Sequence, residues 1–513
     1  MSLLGLDLGT TGCKAAVFAL DGRRLAQAYR EYETLRPEPG RAELDAADVW
    51  AKTRECIAEV AAASEADPPA ALSISSMGEA LVPLTRDRRI LGRAVLCTDA
   101  RGAEYVERLR EEIGQERFYQ INPNLLGPQY SLPKLLWIRE NQSELYRSAD
   151  RFLLWADAVA FLLGCEPVAS QSLANRTLLF DLGAGDWSET LLEWSGIERG
   201  KLGRVVPGGR VLGEVAPHLA RELGLPPGVR VVSGGHDQCL NALGCGAAQA
   251  GRAVCGIGTF ECITPVFGPI AEPLSMLEAG LSIEHHVLPG LFVSFLYNQG
   301  AALVKWFRDT FAAADTPPAG ADIYDVLNRE MPPEPTNLLV LPHFETPVCP
   351  RTLEDSAGVI AGLRTETTRG EILKAVMEGE TFYFAELMDT LGRLGIRPRE
   401  FIASGGGARS DAWLQIKADV FGLPFVRPRI TEASTLGAAM LAGLATGAFA
   451  SPGEAASRFV ARECTFEPDA RRHELYHERL AIYRALYPAV RGVTGALRGR
   501  KPAFRTEGGS KGD

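Results

Sequence analysis

The chain has 513 residues, 46% of them apolar and 23% charged, with a formal net charge of −10. That length exceeds what one hydrophobic core supports, so two domains are expected, and the apolar and charged fractions are those of a soluble globular protein. The negative balance speaks against a general nucleic-acid or membrane-surface role. Ten cysteines are scattered with no CxxC pair. Cys239, Cys245, Cys255 and Cys262 fall in predicted core segments, as small buried thiols of a reducing compartment do, rather than disulfides or zinc ligands. The N-terminus enters an apolar strand with no basic leader, and no stretch is long and apolar enough to span a bilayer, so a cytoplasmic protein is expected.

Residues 4–19 read as a β-hairpin. An apolar run closes on Asp7-Leu8-Gly9-Thr10-Thr11, and a second run, Ala15 to Ala19, follows. Glycine lets backbone N–H groups turn toward a ligand, and the Thr10 and Thr11 hydroxyls with the Lys14 amine add donors for phosphate oxygens. Asp7, just before the tip, is a hard oxygen donor for Mg²⁺, directly or through water. An ordinary Gly-Thr turn fits the same residues, and the GxxxxGK[ST] phosphate loop is absent from the chain. Asp45 next caps a predicted helix with Val49, Trp50, Thr53, Ile57 and Val60 on one face. Ala71–Ser76 and Arg230–Ser233 read as buried strands, each entering a polar loop, which is where open α/β sheets place function. The second loop is Gly234-Gly235-His236-Asp237-Gln238. Asp237 follows that strand; without further context, capping a helix is one use of such a carboxylate.

Near residues 240–250 the pattern restarts. Ala253 to Thr259 is again an apolar run, closing on Gly258-Thr259. A degenerate repeat is therefore expected: two similar α/β domains, 1–245 and 246–487, each giving a phosphate-facing hairpin. Pro- and Gly-rich stretches at 313–320 and 331–336 read as surface loops. Ile372, Leu373, Val376, Met377 and Phe384 fit a long interdomain helix after Thr368. Ser404-Gly405-Gly406-Gly407 precedes Ser410, a candidate N-cap for a helix holding Trp413, Leu414, Ile416, Lys417, Val420 and Phe421 that stops at Gly422. A helix N-terminus behind glycines is a natural nucleotide site. Ser434 to Ala439 is a small-residue helix start suited to close packing at a hinge. Residues 488–513, rich in Arg, Gly and Lys from about Arg491, lack apolar periodicity and read as a mobile tail.

In order, Asp7–Lys14, Ser75–Leu84, Thr98-Asp99-Ala100-Arg101, Gly234–Gln238, Gly256–Thr259, Gly300–Arg308, Ala403–Leu414 and Ser434–Ala439 resemble the FGGY carbohydrate kinases. That family lies within the actin, sugar kinase and heat-shock chaperone ATPase superfamily, and the resemblance covers nearly the whole chain. It implies two ribonuclease-H-like (actin-like ATPase) domains around a cleft, with ATP and Mg²⁺ held mainly by the C-terminal domain and a small sugar or polyol by the N-terminal one. It makes Asp237 the catalytic base and gives Gln238 a substrate hydroxyl; His236 reads as structural rather than as a second base. Met77, Gly78 and Glu79 fall in the sugar loop. Glu79 falls on the hydroxyl-binding Glu of glycerol-kinase-like members, whose adjacent Arg is Gly78 here, and xylulose-kinase-like members have Met-His where this chain has Met77-Gly78. Asp99 and Arg101 either contact substrate or pair to stiffen their loop. Gln129, beside Tyr130, takes the place of an aromatic substrate contact.

On the nucleotide side, the resemblance gives Thr10, Thr11, Gly258 and Thr259 to the phosphates and Gly300 to the nucleotide. Gly406 and Gly407 flank adenine and ribose, and Asp411 stands where relatives often carry Asn. Glu345–Gly362 keeps Thr346-Pro347 and Gly362-Leu363 but lacks the family's Gly-Glu-Arg, and receives no site role. The expected function is ATP-dependent phosphorylation of a hydroxyl of a pentulose, a hexulose or a polyol. The alternative is a catalytically inactive nucleotide-gated sugar sensor or a chaperone-like ATPase. Dimers are common among relatives, so a homodimer is admitted; nucleic-acid and membrane partners are not expected.

Overall fold

The computed structural model describes residues 1–270, 272–318, 320, 322–346, 353–429 and 432–498. In the first half, β1 (Ser2–Leu8), β2 (Gly12–Ala19) and β3 (Arg24–Glu31) form an antiparallel meander. β4 (Pro69–Ser76) runs parallel to β1, β5 (Val211–Glu214) forms the far edge, and β6 (Arg230–His236) runs parallel to β4. The six-stranded order is β5-β6-β4-β1-β2-β3. Helix α1 (Ala46–Ala63) starts where Asp45 accepts the Ala47 and Asp48 N–H groups, and buries Val49, Ile57 and Val60 in the core against β2 and β3. Helix α2 (Asp237–Gly244) follows β6 without a break.

The second half repeats the plan. β7 (Arg252–Ile257) and β8 (Glu261–Phe267) form an antiparallel hairpin, extended by β9 (Glu284–His285), β10 (Phe292–Val293) and β11 (Leu296–Asn298). After α3 (Ala301–Phe311) and α4 (Arg369–Arg393), strand β12 (Glu400–Ser404) runs parallel to β7. Then come α5 (Asp411–Phe421), β13 (Phe425–Pro428), α6 (Ala433–Ala445), β14 (Arg462–Phe466) and α7 (Ala470–Arg498). The main path of this eight-stranded sheet is β9-β10-β8-β7-β12-β13-β14, with β11 beside β8. Hairpin first, parallel strands after: the expected degenerate repeat is present in the topology.

Strand alternation decides which residues reach the seam between the halves. Leu4, Leu6 and Leu8 point into the first core, whereas Leu3 enters a third core shared by both halves with Leu240, Met440 and Phe459. Gly5 and Asp7 therefore share the seam face with Leu3. In β7 the same alternation sends Ala253, Cys255 and Ile257 into the second core and Val254 to the seam, with Gly256 beside it. Helix α6 lies across this seam, packed on β1, β4 and α2. It can lie so close because a Cβ on Gly5 would strike the Thr435 carbonyl, and one on Gly437 the Leu240 carbonyl. The small residues of Ser434 to Ala439 thus make the expected close packing.

Two expectations are corrected. The helix after Thr368 exists and starts with a full capping box to Glu371, but it is not interdomain. Leu373, Met377, Phe382 and Phe384 bury it inside the second core, and α6 is the helix that joins the halves. The tail beginning at 488 is not irregular as far as Arg498, where α7 ends. Leu486, Tyr487 and Val490 pack against the second core, and polar contacts add to them: Thr494 Oγ1 donates to the Asp355 carbonyl at 2.7 Å and Tyr487 Oη to Asp355 Oδ1 at 2.6 Å. Residues 499–513 and Pro347 lie outside the described residues. Among the described residues no helix is long and apolar enough to cross a membrane.

Candidate active site

Three carboxylates of the first half converge at the seam. Asp237 is the first residue of α2, and its side chain does not cap the helix. It lies beyond Gly235, which pairs with Ser75, which in turn pairs with Asp7. Ser75 Oγ donates to Asp7 Oδ1 at 2.7 Å. Burial pushes the Asp7 carboxyl up to about 6, against the pull of the Ser75 hydrogen bond and of Lys14. Asp237 is pushed up to about 7, first by burial and then by the charges of Asp7 and Glu79, while Arg176 pulls the other way. Its side chain nonetheless keeps 30% of its surface open. His236 Nε2 stands 3.2 Å from Asp237 Oδ1. Burial and the nearby Arg176 hold that imidazole well below its usual range, so it is a neutral partner to Asp237. Its ring meets Phe295 of the second half edge-on at 5.3 Å.

The two hairpin tips lie on either side of the repeat. Gly9 N–H closes the first on the Gly12 carbonyl at 3.0 Å, leaving Thr10 and Thr11 exposed. Tyr32 Oη braces it from below, donating to the Gly9 carbonyl at 2.5 Å and the Gly12 carbonyl at 3.0 Å. Lys14 is engaged with Glu432, 2.5 Å away, in the segment leading into α6. In the second tip Gly258 N–H reaches the Phe260 carbonyl at 3.0 Å, and Thr259 is exposed. Gly300 adopts φ +55° and approaches so closely that a Cβ would lie 2.6 Å from Glu261 N. Gly300 N–H donates to buried Glu380 at 3.0 Å.

Behind the third glycine cluster Ser410 caps α5 as expected, accepting from Trp413 N–H, and Gly422 ends it in the left-handed region. Gly406 faces open space, whereas a Cβ on Gly407 would press into Ile257. Asp411 pairs with Arg427 at 2.7 Å beside a hollow of about 280 Å³ lined by Ser404, Gly405, Ala408 and Arg409. A larger hollow of about 850 Å³ lies among α4, α5 and α7 and contains none of these residues.

Residues 2–244 match the description "FGGY family of carbohydrate kinases, N-terminal domain", and residues 265–446 match its C-terminal domain. The chain belongs to the FGGY family of carbohydrate kinases. It is 31% identical over 511 residues to an autoinducer-2 kinase of Escherichia coli, covering 96% of this chain and 95% of that one. It is 27% identical over 506 residues to a xylulose kinase of Bacillus subtilis, covering 97% and 98%. Among solved structures, xylulose kinase from Rhodospirillum rubrum superposes with a TM-score of 0.87 at 27% identity, over 96% of this chain and 100% of that one. Plasmodium falciparum glycerol kinase with ADP shares the fold, with a TM-score of 0.82 at 18% identity over 94% and 98%. This chain is accordingly a carbohydrate kinase of the actin-like ATPase fold, acting on a sugar or polyol; these relatives lend no support to the inactive sensor.

Within this family framework several expected contact residues have partners within the fold. Asp99 and Arg101 are tied to each other through 2.8 Å and 2.6 Å bonds, Arg101 also binds Glu43 at 2.7 Å, and Asp99 accepts Ala42 N–H at 2.7 Å. That is the loop-stiffening arrangement. Met77 is buried in the first core, its N–H continuing the β1 ladder to the Leu8 carbonyl at 2.9 Å. Gln129 and Gln238 are half-buried, and neither makes a hydrogen bond to Asp237 from its side chain among the described residues. The resemblance did not point to Arg176, which reaches Glu79, nor to the buried Lys417–Glu261 pair at 2.6 Å. Lys417 sits at a helix position that reads as core-facing, the one signal in the sequence that a charge there needs a partner.

Proposed function

We propose that the chain transfers the γ-phosphoryl group of ATP to a hydroxyl of a neutral ketose or polyol, with Asp237 as the base. The first domain, 1–245, would hold the sugar and the second, 246–487, the nucleotide. The observation that carries this is the placement of Asp237: an acid at a strand end, open on one side, beside two further carboxylates and held at about 7. With Oδ1 facing His236, we assign Oδ2 to the acceptor hydroxyl, whose proton passes to Asp237 as its oxygen bonds to phosphorus and ADP departs.

Thr10, Thr11, Gly258 and Thr259 supply hydroxyl and backbone donors to the phosphates, and Gly406 and Gly407 border the nucleoside. Lys14 joins the phosphate donors on leaving Glu432. Asp7 fits Mg²⁺ as a hard oxygen donor hydrogen-bonded by a serine. As a single protein donor, Asp7 would hold the ion together with water. When bound, the ion neutralises charge on the phosphates. Glu79 and Gln238 contact sugar hydroxyls.

The test is ADP release across a panel of ketoses, aldoses and polyols, with Asp237→Asn alongside. Turnover of the active sugar should fall by about 10³-fold or more in the variant while ATP binding persists, and the wild-type rate should rise as pH passes through about 7. Normal turnover in Asp237→Asn would end the base assignment.

A further inference from the structure

The sugar loop has no side chain at position 78, and the space it would fill is taken from another element. A Cβ on Gly78 would lie 3.0 Å from His236 Nε2 and 3.2 Å from Arg176 Cγ. Arg176 reaches this point from the end of the short helix Gln171–Asn175, its guanidinium 4.8 Å over the Tyr130 ring. Nε donates to Glu79 Oε1 at 2.8 Å and Nη2 grips the same oxygen, while Nη1 donates to Glu284 Oε1 at 2.5 Å. Glu284 lies in β9, on the sheet of the second half, and is fully buried. Its Oε2 is buried with no hydrogen-bond partner among the described residues. Ser131 Oγ fixes the loop from behind by donating to the Glu79 carbonyl at 2.7 Å.

We propose that Arg176 is the positioning residue of the sugar site: it sets the orientation of Glu79 toward the acceptor and, through Glu284, makes that orientation depend on the seating of the second domain. The inference rests on the kinase reading above and on Glu79 as a hydroxyl contact. Nε and Nη2 both grip Glu79 Oε1, which leaves Oε2 to the ligand. A planar fork can hold two carboxylates in fixed directions at once; an ammonium cannot. An arginine arriving from a second element, rather than from position 78, couples the sugar loop to a strand of the opposite domain, which an adjacent arginine need not do.

Two readouts test it. The first is kinetic, with the sugar found active in the panel. Arg176→Ala and Glu284→Gln should each raise the sugar KM at least tenfold and leave the ATP KM within twofold, and Arg176→Lys should recover little of the loss. Sugar and ATP KM rising together, full recovery by lysine, or no change in either constant would overturn the proposal. The second needs no turnover: amide hydrogen exchange of the ligand-free protein. Glu284→Gln should quicken exchange at residues 77–80 as well as at 281–287, and leave residues 9–12 unchanged. Quickening confined to 281–287 would show that Glu284 acts only on its own domain and would sink the coupling. If the wild type phosphorylates no sugar, the kinase reading fails by itself and the exchange result still decides whether the tie exists.

Discussion

Position 7 of the first hairpin holds an aspartate, and the corresponding position of the second, 256, holds a glycine. Each lies on the seam face of its strand and pairs with a serine in the neighbouring parallel strand, Asp7 with Ser75 and Gly256 with Ser404. The tips differ by one residue, because Leu8 pairs with Cys13 but Ile257 with Glu261. Their supports differ more. A tyrosine hydroxyl and the partly exposed Lys14–Glu432 pair hold the first; Lys417 and Glu261, both fully buried, hold the second. The repeat has kept the backbone plan and divided the chemistry. Acids gather at the seam beside the first tip, and the second tip rests over a charged pair sealed from water.

That contrast breaks most readily at Lys417. Its removal leaves Glu261 without its cation in the core, next to Glu380, whose carboxyl burial already pushes up to about 8. Lys417→Met should lower the unfolding free energy by about 3–5 kcal/mol, the cost of stranding one member of a buried pair. Denaturant unfolding at neutral pH measures it. A loss no larger than that from Lys14→Ala, about 1 kcal/mol or less for a partly exposed pair, would mean that the two supports are equivalent after all.

Asp7 sharpens the division of chemistry. Asp7→Asn should reduce kcat by about 10²–10³-fold, the scale on which a preorganised charge at a reacting phosphate acts. The sign of its effect on pH dependence is also fixed. The Asp7 charge helps to hold the Asp237 carboxyl up at about 7, so neutralising it lets that carboxyl fall. The acidic limb of the kcat/KM profile should therefore move to lower pH in the variant. A limb that stays in place would show that Asp237 does not feel Asp7, and a limb that rises would contradict the arrangement outright.

Much of this was legible in the chain because local chemistry wrote it there. Asp45, Thr368 and Ser410 announce their helices as caps, Gly422 ends one, and the two Gly-Thr tips mark the repeat. What stayed hidden depends on contacts between distant segments. Leu373, Met377 and Phe384 show that α4 is buried but not in which core, so placing it between the domains was natural and wrong. At the end of α7, Val490 packs on the second core but Thr494 is held by Asp355, a partner far away in the chain. Asp99 and Arg101 offered two uses, and only the third partner, Glu43, tips them toward bracing. Arg176 lies nearly a hundred residues from Glu79 and more than that from Glu284, and nothing in its own neighbourhood names either partner.

The smallest effect concerns the tyrosine beneath the first tip. Tyr32 Oη lies within hydrogen-bond reach of two carbonyls, Gly9 and Gly12, which bracket Thr10 and Thr11, and its own N–H reaches the Thr11 carbonyl at 3.1 Å. Tyr32→Phe keeps the ring in its buried place and the backbone bond, and removes only the hydroxyl. It should cost about 1 kcal/mol of stability, the net worth of one such bond. If the tip presents donors to the nucleotide, the ATP KM should rise about 2–5-fold in steady-state kinetics, because a looser tip loses part of its preorganisation. The sugar KM should stay put, since among the described residues the hydroxyl bonds to the Gly9 and Gly12 carbonyls. A sugar KM that moved with the ATP KM would place the first hairpin on both substrates and blur the division between the two copies.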